Sequence, residues 1–490
     1  MMTELAMRVG RLNDVLCTVN ILNWDARTQM AAGGAETRGQ QIATLMGIAR
    51  QMILDPAMQA AVDAAGGDPA GLAVRQAIDH HRRLPAELLQ AKAEHATVAG
   101  AAWAKARSQS DFTIFQPHLE KVVALARQTA DALGYDGHPY DPMVQIFEPE
   151  ETAASLTGLF DRLRAGILPV LEKARGRHLP RTDFLYRDYD PQVQKRFVAD
   201  TAAALGYDFD RGRMDTAVHP FEVSFTRNDV RITSRWPRNY LSMAIFGSIH
   251  EVGHALYEQG VDPVHTRGAF ATDMIGLYAV GGTSFGMHES QSRLLENHVG
   301  RSPAFWQVHF PRLRDSFPDQ LADVTAEEFI AAINRVEPGP IRVEADELTY
   351  DLHIMLRVRI EMALMEGSLQ VADIPEAWNS AMKSDLGITI MDDAQGCLQD
   401  VHWSSGYIGS FPTYTIGNAT AAQLMQHFDA TKPAIRQALG NADTGPLRNA
   451  LQDAVWQHGR SRSRTDILGR LGLKANDPNA YLAYLTQKFS

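Results

Sequence analysis

The residues best suited to chemistry in this chain are two histidines and a glutamate in one pentad, HEVGH at residues 250–254. In an α-helix, side chains at positions i and i+4 lie on one face, so the imidazoles of His250 and His254 can reach one metal ion. Glu251 lies beside the first histidine, where a carboxylate can accept a proton from water at such an ion. The pattern predicts a zinc-type hydrolytic site; the plainer alternative is a buried helix with two hydrogen-bonded histidines.

A catalytic zinc ion needs a third protein ligand and one open coordination position, so the pentad cannot act alone. In metzincins a glycine lies three residues after the last histidine of the pentad, and the third ligand is a histidine three residues after that glycine. This chain has Tyr257 and Gly260 at those two positions, which excludes that class. The third ligand is therefore expected from a later part of the sequence.

Carboxylates on a following helix are the best candidates for that ligand. Residues 288–299 have a helical pattern, and within it Glu289 and Glu296 lie two turns apart, so we expect only one of them to face the ion. His265 and Asp273, in the segment before this helix, are rival ligands. The plainer interpretation of Glu289 is a carboxylate that interacts with the helix dipole at an N-terminus.

The elements that must position these residues are predicted to be mostly helices. A short alternating pattern at 221–236 predicts a β-hairpin, with its turn at Thr226–Asp229. We find no fixed-period repeat and no linker, so we predict a mainly α chain that forms a single unit over residues 1–490, with two lobes around a groove as an alternative arrangement. Helices are predicted at the start of the chain and at 40–54, 86–107, 117–134, 151–173, 241–259, 288–299, 326–335, 344–366, 419–438 and 445–459.

Two further segments mix charged and aromatic residues in a way that is unusual for a plain core. Arg342 follows the break Pro338-Gly339-Pro340, and a rigid loop that holds an arginine suits bidentate binding of a carboxylate. The predicted helix after it carries a polar stripe, interpreted either as a solvated face or as a cleft wall, formed by Asp346, Tyr350, His353, Arg357 and Glu361. The glycine-rich segment 396–418 is either an aromatic-anchored loop or a source of tyrosine hydroxyls for an oxyanion; it contains Asp400, His402, Trp403, Tyr407, Phe411 and Tyr414.

Composition and charge exclude several classes of protein. The chain has 490 residues, of which 45% are hydrophobic and 21% charged, which is typical of globular proteins and not of disordered or collagen-like ones. Its net charge of -11 provides no basic surface for nucleic acid, and its uncharged run at 274–287 is too short to span a membrane. Two distant cysteines, Cys17 and Cys397, cannot form a disulfide framework, and the N-terminus does not resemble a signal peptide, so we expect a cytoplasmic protein.

An ordered set of motifs resembles the M32 metallocarboxypeptidases, also described as the thermostable carboxypeptidase or carboxypeptidase Taq family. The set covers about residues 20–420 and begins with Trp24-Asp25, and it is far more specific than the pentad alone. The other motifs are HPF at 219–221, DVRIT at 229–233, HEVGH at 250–254, HESQ at 288–291, IRVEADE at 341–347, QDVHW at 399–403 and FPTY at 411–414.

The resemblance implies a mostly helical fold of the HExxH gluzincin type, similar to neurolysin, with a deep active-site groove and a small β-sheet. It implies one zinc or cobalt ion per subunit and a homodimer. The implied activity is hydrolysis of the C-terminal bond of peptides with a free C-terminus, which releases single amino acids with broad specificity. Nucleic acid and membranes are not expected as partners.

Residue roles also follow from the resemblance, motif by motif. His250, His254 and Glu289 would bind the metal, with Glu251 as general base. Tyr414 would donate to the oxyanion, and Arg342 would bind the C-terminal carboxylate of the substrate. The other residues implied in substrate binding are His219, Arg231, His353 and His402.

The chain departs from the family pattern in three places. The glycine-rich segment between His254 and Glu289 is longer by several residues, Ser410 replaces an aromatic residue, and Ala31 replaces a proline.

A rival function with the same metal core is a metallo-oligopeptidase or endopeptidase that cleaves internally. Another is a scaffold that binds peptides without cleaving them, which the intact Glu251 disfavours. The hairpin at 221–236 is expected to bind extended peptide along its edge.

Overall fold

The computed structural model describes residues 3–490 and confirms the mainly helical fold class with a small sheet. Met1 and Met2, which belong to the predicted unit 1–490, lie outside the described residues. Among the residues described, no helix is both long and apolar enough to cross a membrane. The α-helices are α1 (Glu4–Thr28), α2 (Ala35–Leu54), α3 (Pro56–Ala65), α4 (Pro69–Arg83), α5 (Ala86–Gln109), α6 (Gln116–Leu133), α7 (Asp141–Val144), α8 (Ala153–Arg175), α9 (Pro191–Leu205), α10 (Leu241–Gly260), α11 (Phe285–Arg293), α12 (Pro303–Ser316), α13 (Ala326–Ile333), α14 (Tyr350–Glu366), α15 (Ile374–Leu386), α16 (Pro412–Thr431), α17 (Pro433–Leu439), α18 (Gly445–Ala454), α19 (Arg464–Arg470) and α20 (Asn479–Phe489).

Local sequence explains many of the helix ends. Thr152 and Ser155 form a reciprocal capping box at the start of α8, which satisfies two backbone N–H groups that the helix leaves unpaired. Asp190 caps α9 just before Pro191, whose missing N–H costs nothing at a first helical position. Gly206 ends α9 in a left-handed conformation that favours glycine.

The chain folds into two compact units, each built from three stretches of sequence. The first consists of the described residues up to His81 together with Pro180–Arg335 and Thr420–Ala475. The second consists of Arg82–Leu179, Val336–Ala419 and Asn476–Ser490. Each unit buries large side chains, at about 1.5–3 kcal/mol for each aliphatic or Phe side chain removed from water.

The sheet belongs to the first unit and contains β1 (Gly212–Thr216), β2 (Glu222–Thr226) and β3 (Asp229–Ser234) in the order β1-β3-β2. Strands β2 and β3 pair antiparallel around a turn at residues 227–228, so the predicted hairpin is confirmed. Strand β1, which pairs parallel with β3, was not predicted. Its sequence GRMDT buries the neighbours Met214 and Asp215 rather than alternate residues, so it lacks the period of two.

The edge of the hairpin is engaged by helix α1. Asn20 Nδ2 donates to the carbonyl oxygen of Ser224 at 2.8 Å, and Cys17 Sγ donates to that of Phe225 at 2.7 Å. The expectation that this edge binds an extended peptide is therefore wrong at these two carbonyls, because α1 already occupies them. On its other side β3 pairs with β1.

Several predicted helix bounds are wrong, each for a local reason. The helix predicted at 344–366 begins at Tyr350, because the Asp346 side chain accepts from Thr349 N–H and forms a turn before it. The helix predicted at 419–438 begins at Pro412 and breaks before Pro433, which has no N–H to donate. The pattern at 445–459 ends as a helix at Ala454 and continues as a 3-10 segment, Trp456–Ser461.

The predicted helix at 288–299 has two parts. It is α-helical to Arg293 and then continues as a π-helix over Leu294–Gly300. Such wider turns occur often at functional sites, and a period search for an α-helix does not reveal them. Glu296 lies within this π-helix.

Candidate metal centre and arginine cluster

Helix α10 places His250 and His254 on one face, as their spacing predicts, and α11 packs closely against that helix at Gly253. A Cβ atom at residue 253 would lie 2.5 Å from both the carbonyl oxygen of Gln291 and the Cα of Ser292. Any other residue would therefore push the two helices apart. Glycine inside the pentad allows the helix that carries Glu289 to approach the two imidazoles.

The structure brings together one atom from each of three side chains, which we call the metal-ligand cluster: His250, His254 and Glu289. Glu289 Oε2 lies 3.5 Å from His250 Nε2 and 3.3 Å from His254 Nε2, and ligand atoms of all three lie within 4.8 Å of one another. Glu289 is 6% exposed, so these atoms meet in a largely dry environment. No other carboxylate, imidazole or thiol group in the described chain forms such a set of three or more.

The cluster fits a zinc-sized ion. Ligand atoms that surround one ion tetrahedrally at about 2.1 Å are about 3.4 Å apart, which matches the two short distances to Glu289 Oε2. Two imidazoles and one carboxylate are a ligand set found in catalytic zinc sites, which keep one position open for water or substrate.

Glu296 orients His250 from behind. Its Oε2 lies 3.0 Å from His250 Nδ1, and because a carboxylate accepts, Nδ1 carries a proton and Nε2 is the nitrogen that faces Glu289. Burial lowers the pKa of this imidazole, but Glu289 and Glu296 outweigh it and raise the pKa to about 10, so a metal at Nε2 would displace a proton. Arg301 Nη2 donates to Glu296 Oε1 at 2.9 Å and fixes that carboxylate. The expectation that only one of the two glutamates faces the ion therefore agrees with this geometry, with Glu289 in the cluster and Glu296 behind it.

Arg293 orients the carboxylate of Glu289. Its Nε donates to Oε1 at 2.6 Å, which leaves Oε2 directed at the two histidines. Burial alone would raise the pKa of Glu289, but Arg293 and His250 outweigh it and hold that pKa well below its usual range. The carboxylate is therefore ionised across the whole neutral pH range, as a metal ligand must be.

Glu251 is buried next to the cluster, at 7% exposure. Burial raises the pKa of its carboxyl to about 7; the negative charge of Glu289 adds to the increase, while His250 and Arg27 oppose it. A carboxyl group with a pKa near 7 can both accept and release a proton at neutral pH, which suits a general base.

The two rival ligands lie elsewhere in the first unit. His265 ends the 3-10 turn Pro263–His265, and its ring packs edge-on against Phe270. Asp273 Oδ1 accepts from the N–H groups of Ile275 and Gly276. Neither residue joins the metal-ligand cluster, so both are disfavoured as the third ligand.

Two predicted substrate-binding residues lie near the sheet. His219 is exposed in the connection between β1 and β2. Arg231, on β3, forms a two-point ion pair with Asp229 and lies over the rings of Trp24 and Phe225 at 4.6 and 4.7 Å. Its guanidinium is thus held in place by one carboxylate and two aromatic faces.

Arg342 belongs to a buried group in the second unit, which we call the arginine cluster: Arg342, Arg357, Asp400, Gln399 and Tyr350. Arg342 Nε and Nη2 both donate to Asp400 Oδ1, at 2.9 and 2.8 Å, and Nη1 donates to Tyr350 Oη at 3.0 Å. Arg357 Nε donates to the other carboxylate oxygen of Asp400 at 2.6 Å, and its Nη2 donates to Gln399 Oε1 at 2.7 Å. The loop arginine is therefore already braced by a carboxylate from the QDVHW motif.

The polar stripe of α14 is not a solvated face, so that interpretation is wrong. His353, Arg357 and Glu361 are each 0% exposed. Glu361 accepts from Tyr140 Oη, Trp403 Nε1 and the N–H of Gly409, which anchors the glycine-rich segment to the helix. Burial raises the pKa of Glu361 to about 7 against the effect of these three donors. The buried side chains Arg357 and Glu361 of the stripe thus form hydrogen bonds with other residues of the second unit and do not face solvent.

His402 and Tyr414 lie beside each other near Arg342. His402 Nε2 is 3.3 Å from Tyr414 Oη, and the guanidinium of Arg342 lies 5.2 Å from the Tyr414 ring centre. Burial, with the positive charge of Arg342, lowers the pKa of His402 to about 4, so the imidazole is neutral at pH 7. His353 is neutral for the same reason, with a pKa of about 3.

Comparison with known proteins gives one consistent answer. The family model "Carboxypeptidase Taq (M32) metallopeptidase" matches residues 4–489. Thermostable carboxypeptidase 1 of Thermus thermophilus is 37% identical, over 95% of this chain and 94% of that protein. A crystal structure of an M32 carboxypeptidase from Deinococcus radiodurans superposes with a TM-score of 0.94 at 36% identity, covering 99% of this chain and 98% of that one.

The chain belongs to the carboxypeptidase Taq (M32) metallopeptidase family. Membership confirms the predicted resemblance and the prediction of a metallocarboxypeptidase that hydrolyses peptides. The family implies a divalent metal ion. A distant structure, PZ peptidase A, shares the fold with a TM-score of 0.62 at 12% identity, over 98% of this chain and 92% of that one, which is consistent with the neurolysin-like fold that the resemblance implies.

Sequence reasoning missed part of this M32 site. Glu258 and His288 were given no role, although Glu258 follows His250 and His254 at a further step of four on the same face of α10. That spacing was a usable signal. Arg293 was missed as well, although it lies four residues after Glu289, within reach on one helix face.

Proposed function

We propose that this M32 protein removes single amino acids from the C-terminus of peptides, with broad specificity. One zinc or cobalt ion per subunit would be held by His250, His254 and Glu289. The observation that carries the proposal is the meeting of two imidazole nitrogens and one carboxylate oxygen within 4.8 Å, with Glu251 beside them. The homodimer and the cytoplasmic location remain proposals that rest on the family resemblance and on the two distant cysteines.

When bound, a divalent ion supplies Lewis acidity and lowers the pKa of water. Glu251 would accept the proton of the attacking water and later pass it to the leaving amine. Its burial supports this role, because a pKa of about 7 leaves the carboxyl ready to act in both directions at neutral pH. The proton transfer contributes typically about 10²- to 10⁴-fold to the rate.

Arg342 would bind the C-terminal carboxylate of the peptide. In the arginine cluster two guanidinium groups share the single carboxylate of Asp400, while His402 is neutral, so positive charge is in excess. Glu361, one turn beyond Arg357, does not cancel it fully, because its pKa of about 7 leaves it partly protonated. A buried excess charge is costly, and an incoming carboxylate would relieve that cost.

Tyr414 would donate its hydroxyl to the oxyanion of the tetrahedral intermediate. The neighbouring neutral His402 supports this role, because its Nε2 lies at hydrogen-bond distance from the hydroxyl and can fix its orientation. A well-placed oxyanion donor is worth about 2.7–4 kcal/mol of barrier. His219, Arg231 and His353 remain proposed peptide contacts on the family resemblance alone.

The test combines metal reconstitution with product analysis. The protein is stripped with a chelator, reloaded with Zn²⁺ or Co²⁺, and given two versions of one peptide, with a free and with an amidated C-terminus. We expect metal-dependent release of single amino acids, detected by mass spectrometry, from the free form. Internal fragments from the amidated peptide would instead establish the endopeptidase or oligopeptidase alternative. Equal activity without metal would overturn the proposed centre.

A further inference from the structure

The second imidazole of the pentad is not held in the way that the first one is. His250 Nδ1 meets a carboxylate, Glu296. His254 Nδ1 instead meets another imidazole, with Nδ1 of His288 at 2.6 Å. A metal-binding histidine usually donates the N–H of its other ring nitrogen to a carboxylate, a carbonyl oxygen or water. A second histidine at this position therefore needs an explanation.

The chain of contacts continues from His288 to Glu258. His288 Nε2 lies 3.0 Å from Glu258 Oε1. The same carboxylate accepts from the N–H groups of Gly281 and Gly282, at 2.8 to 3.0 Å, and from Ser224 Oγ at 3.0 Å. Both backbone groups can only donate, so the Glu258 oxygens serve as acceptors throughout.

This arrangement supports the one tautomer of His254 that can bind a metal through Nε2. A metal on His254 Nε2, the nitrogen that lies 3.3 Å from Glu289 Oε2, requires the imidazole proton to be on Nδ1, which then donates. The atom that it meets, His288 Nδ1, must then accept, and His288 carries its own proton on Nε2, toward the accepting carboxylate of Glu258.

The glycine pair makes the arrangement possible. A Cβ at residue 282 would lie 2.3 Å from Cδ2 of the His288 ring, and one at residue 281 would lie 2.7 Å from Cγ2 of Val261. Side chains there would displace either the ring or the segment that donates to Glu258. The glycine-rich segment between the pentad and Glu289 thus provides the backbone N–H groups for Glu258 and the space for the His288 ring.

We infer that His288 and Glu258 are positioning residues for the metal: they form a relay from the Gly281–Gly282 backbone to His254 that holds its Nε2 in the metal-binding tautomer and orientation. The inference rests on the proposed metal site. It predicts that metal affinity, and not only activity, depends on an acceptor atom at the position of His288 Nδ1. Loss of such an outer contact typically weakens metal binding about 10- to 100-fold.

The experiment measures the dissociation constant of Zn²⁺ for the full chain by competition with a chromogenic chelator. We expect His288→Leu to weaken binding about 10- to 100-fold. His288→Asn places a carbonyl oxygen on Cγ, where Nδ1 is bonded in histidine, and should retain most of the affinity. Glu258→Gln should cause an intermediate loss. His265→Gln is the matched control, because His265 lies in the segment between α10 and α11 and outside the metal-ligand cluster. This variant should bind Zn²⁺ as the unmodified protein does.

Each outcome decides the inference. If His288→Leu binds Zn²⁺ as tightly as the unmodified protein, or if His288→Asn loses as much as His288→Leu, the relay is overturned. If the unmodified protein itself binds no Zn²⁺ in a one-to-one ratio, the proposed metal site fails, which is a different result. Thermal unfolding of the metal-free variants separates weakened binding from misfolding. An affinity loss in a variant that melts with the unmodified apoprotein supports the relay.

Discussion

In the first unit, three donor atoms of the metal-ligand cluster face one another within 4.8 Å, although each of the side chains has a partner on its far side. In the second unit, Arg342 and Arg357 share a single carboxylate, Asp400, and no such set of donor atoms converges in that part of the described chain. The first arrangement is complete when a cation binds. The second has positive charge left over and is suited to an anion.

The difference shows how burial is used in the two regions. Near the pentad, Arg293 and His250 keep Glu289 ionised despite burial. In the second unit, burial keeps His402 neutral, with a pKa of about 4, and leaves Glu361 half protonated near pH 7. Charges of both signs are thus preserved where a metal is expected and negative charge is reduced where a carboxylate is expected.

The largest effect should follow from Glu251→Gln, which removes the proposed proton acceptor and keeps the shape of the side chain. We expect kcat to fall about 10²- to 10⁴-fold, with Zn²⁺ binding retained because the ligands are unchanged. Steady-state kinetics together with elemental analysis provide the measurement. Glu87→Gln, at an exposed position on α5, is the control. Full turnover by Glu251→Gln would show that another group acts as the base.

The next effect is a loss of stability with rising pH that arises from Glu361. Its pKa is raised from 4.5 to about 7 in the folded chain, so between these pH values the unfolded chain has lost this proton and the folded chain has kept it. The free energy of unfolding must therefore fall as pH rises through this window, by up to roughly 3 kcal/mol from this group. The variant Glu361→Gln has no carboxyl group at this position, so this contribution to the pH dependence of stability is absent from it.

Urea denaturation of the unmodified protein and of Glu361→Gln, at pH 4.5 and pH 8, tests this expectation. The stability of the unmodified protein relative to the variant should be lower at pH 8 than at pH 4.5. Parallel pH dependence in the two proteins would contradict the raised pKa. Glu366→Gln, near the end of the same helix, should show no such change, because the pKa of that exposed residue is lowered rather than raised.

Arg342→Ala should remove the preference for a free C-terminus. A hydrogen bond to a charged group is worth about 1.5–3 kcal/mol, so we expect kcat/KM for the free peptide to fall about 10- to 150-fold. The amidated peptide should be affected much less. Arg359→Ala, an exposed arginine of α14 paired with Asp385, is the matched control. An unchanged ratio between free and amidated substrates would mean that another group recognises the terminus.

The smallest effect is expected at Arg231. Its ion pair with Asp229 is partly exposed, so Arg231→Lys should cost about 1 kcal/mol or less of unfolding free energy, mainly through lost stacking on Trp24 and Phe225. Because Arg231 is a proposed peptide contact, we also expect KM to rise, by about fivefold or less, since a partly exposed charge pair contributes about 0.2–1 kcal/mol. An unchanged KM together with the expected loss of stability would show that peptide does not contact this arginine.

Much of the fold could be predicted from sequence because helical periodicity is local. Helices at 40–54, 86–107, 117–134, 151–173, 241–259 and 326–335 agree with the structure to within a few residues, apart from an earlier start at Ala35. Strand β1 and the π-helix at Leu294–Gly300 could not be predicted this way. Strand β1 is defined by its pairing with β3, and the π-helix depends on packing that widens a helical turn.

The sequence by itself determined the face that His250 and His254 share, because a spacing of four on a helix is fixed by backbone geometry. It also determined the family, because eight motifs in order are far more specific than any one of them. Only the tertiary structure decided that Glu289 joins the two histidines, that His288 stands behind His254, and that Asp400 braces Arg342. Glu289 and His288 lie 35 and 34 residues from His254, and Asp400 lies 58 residues from Arg342, beyond the reach of any helical period, so only packing brings them within hydrogen-bond distance.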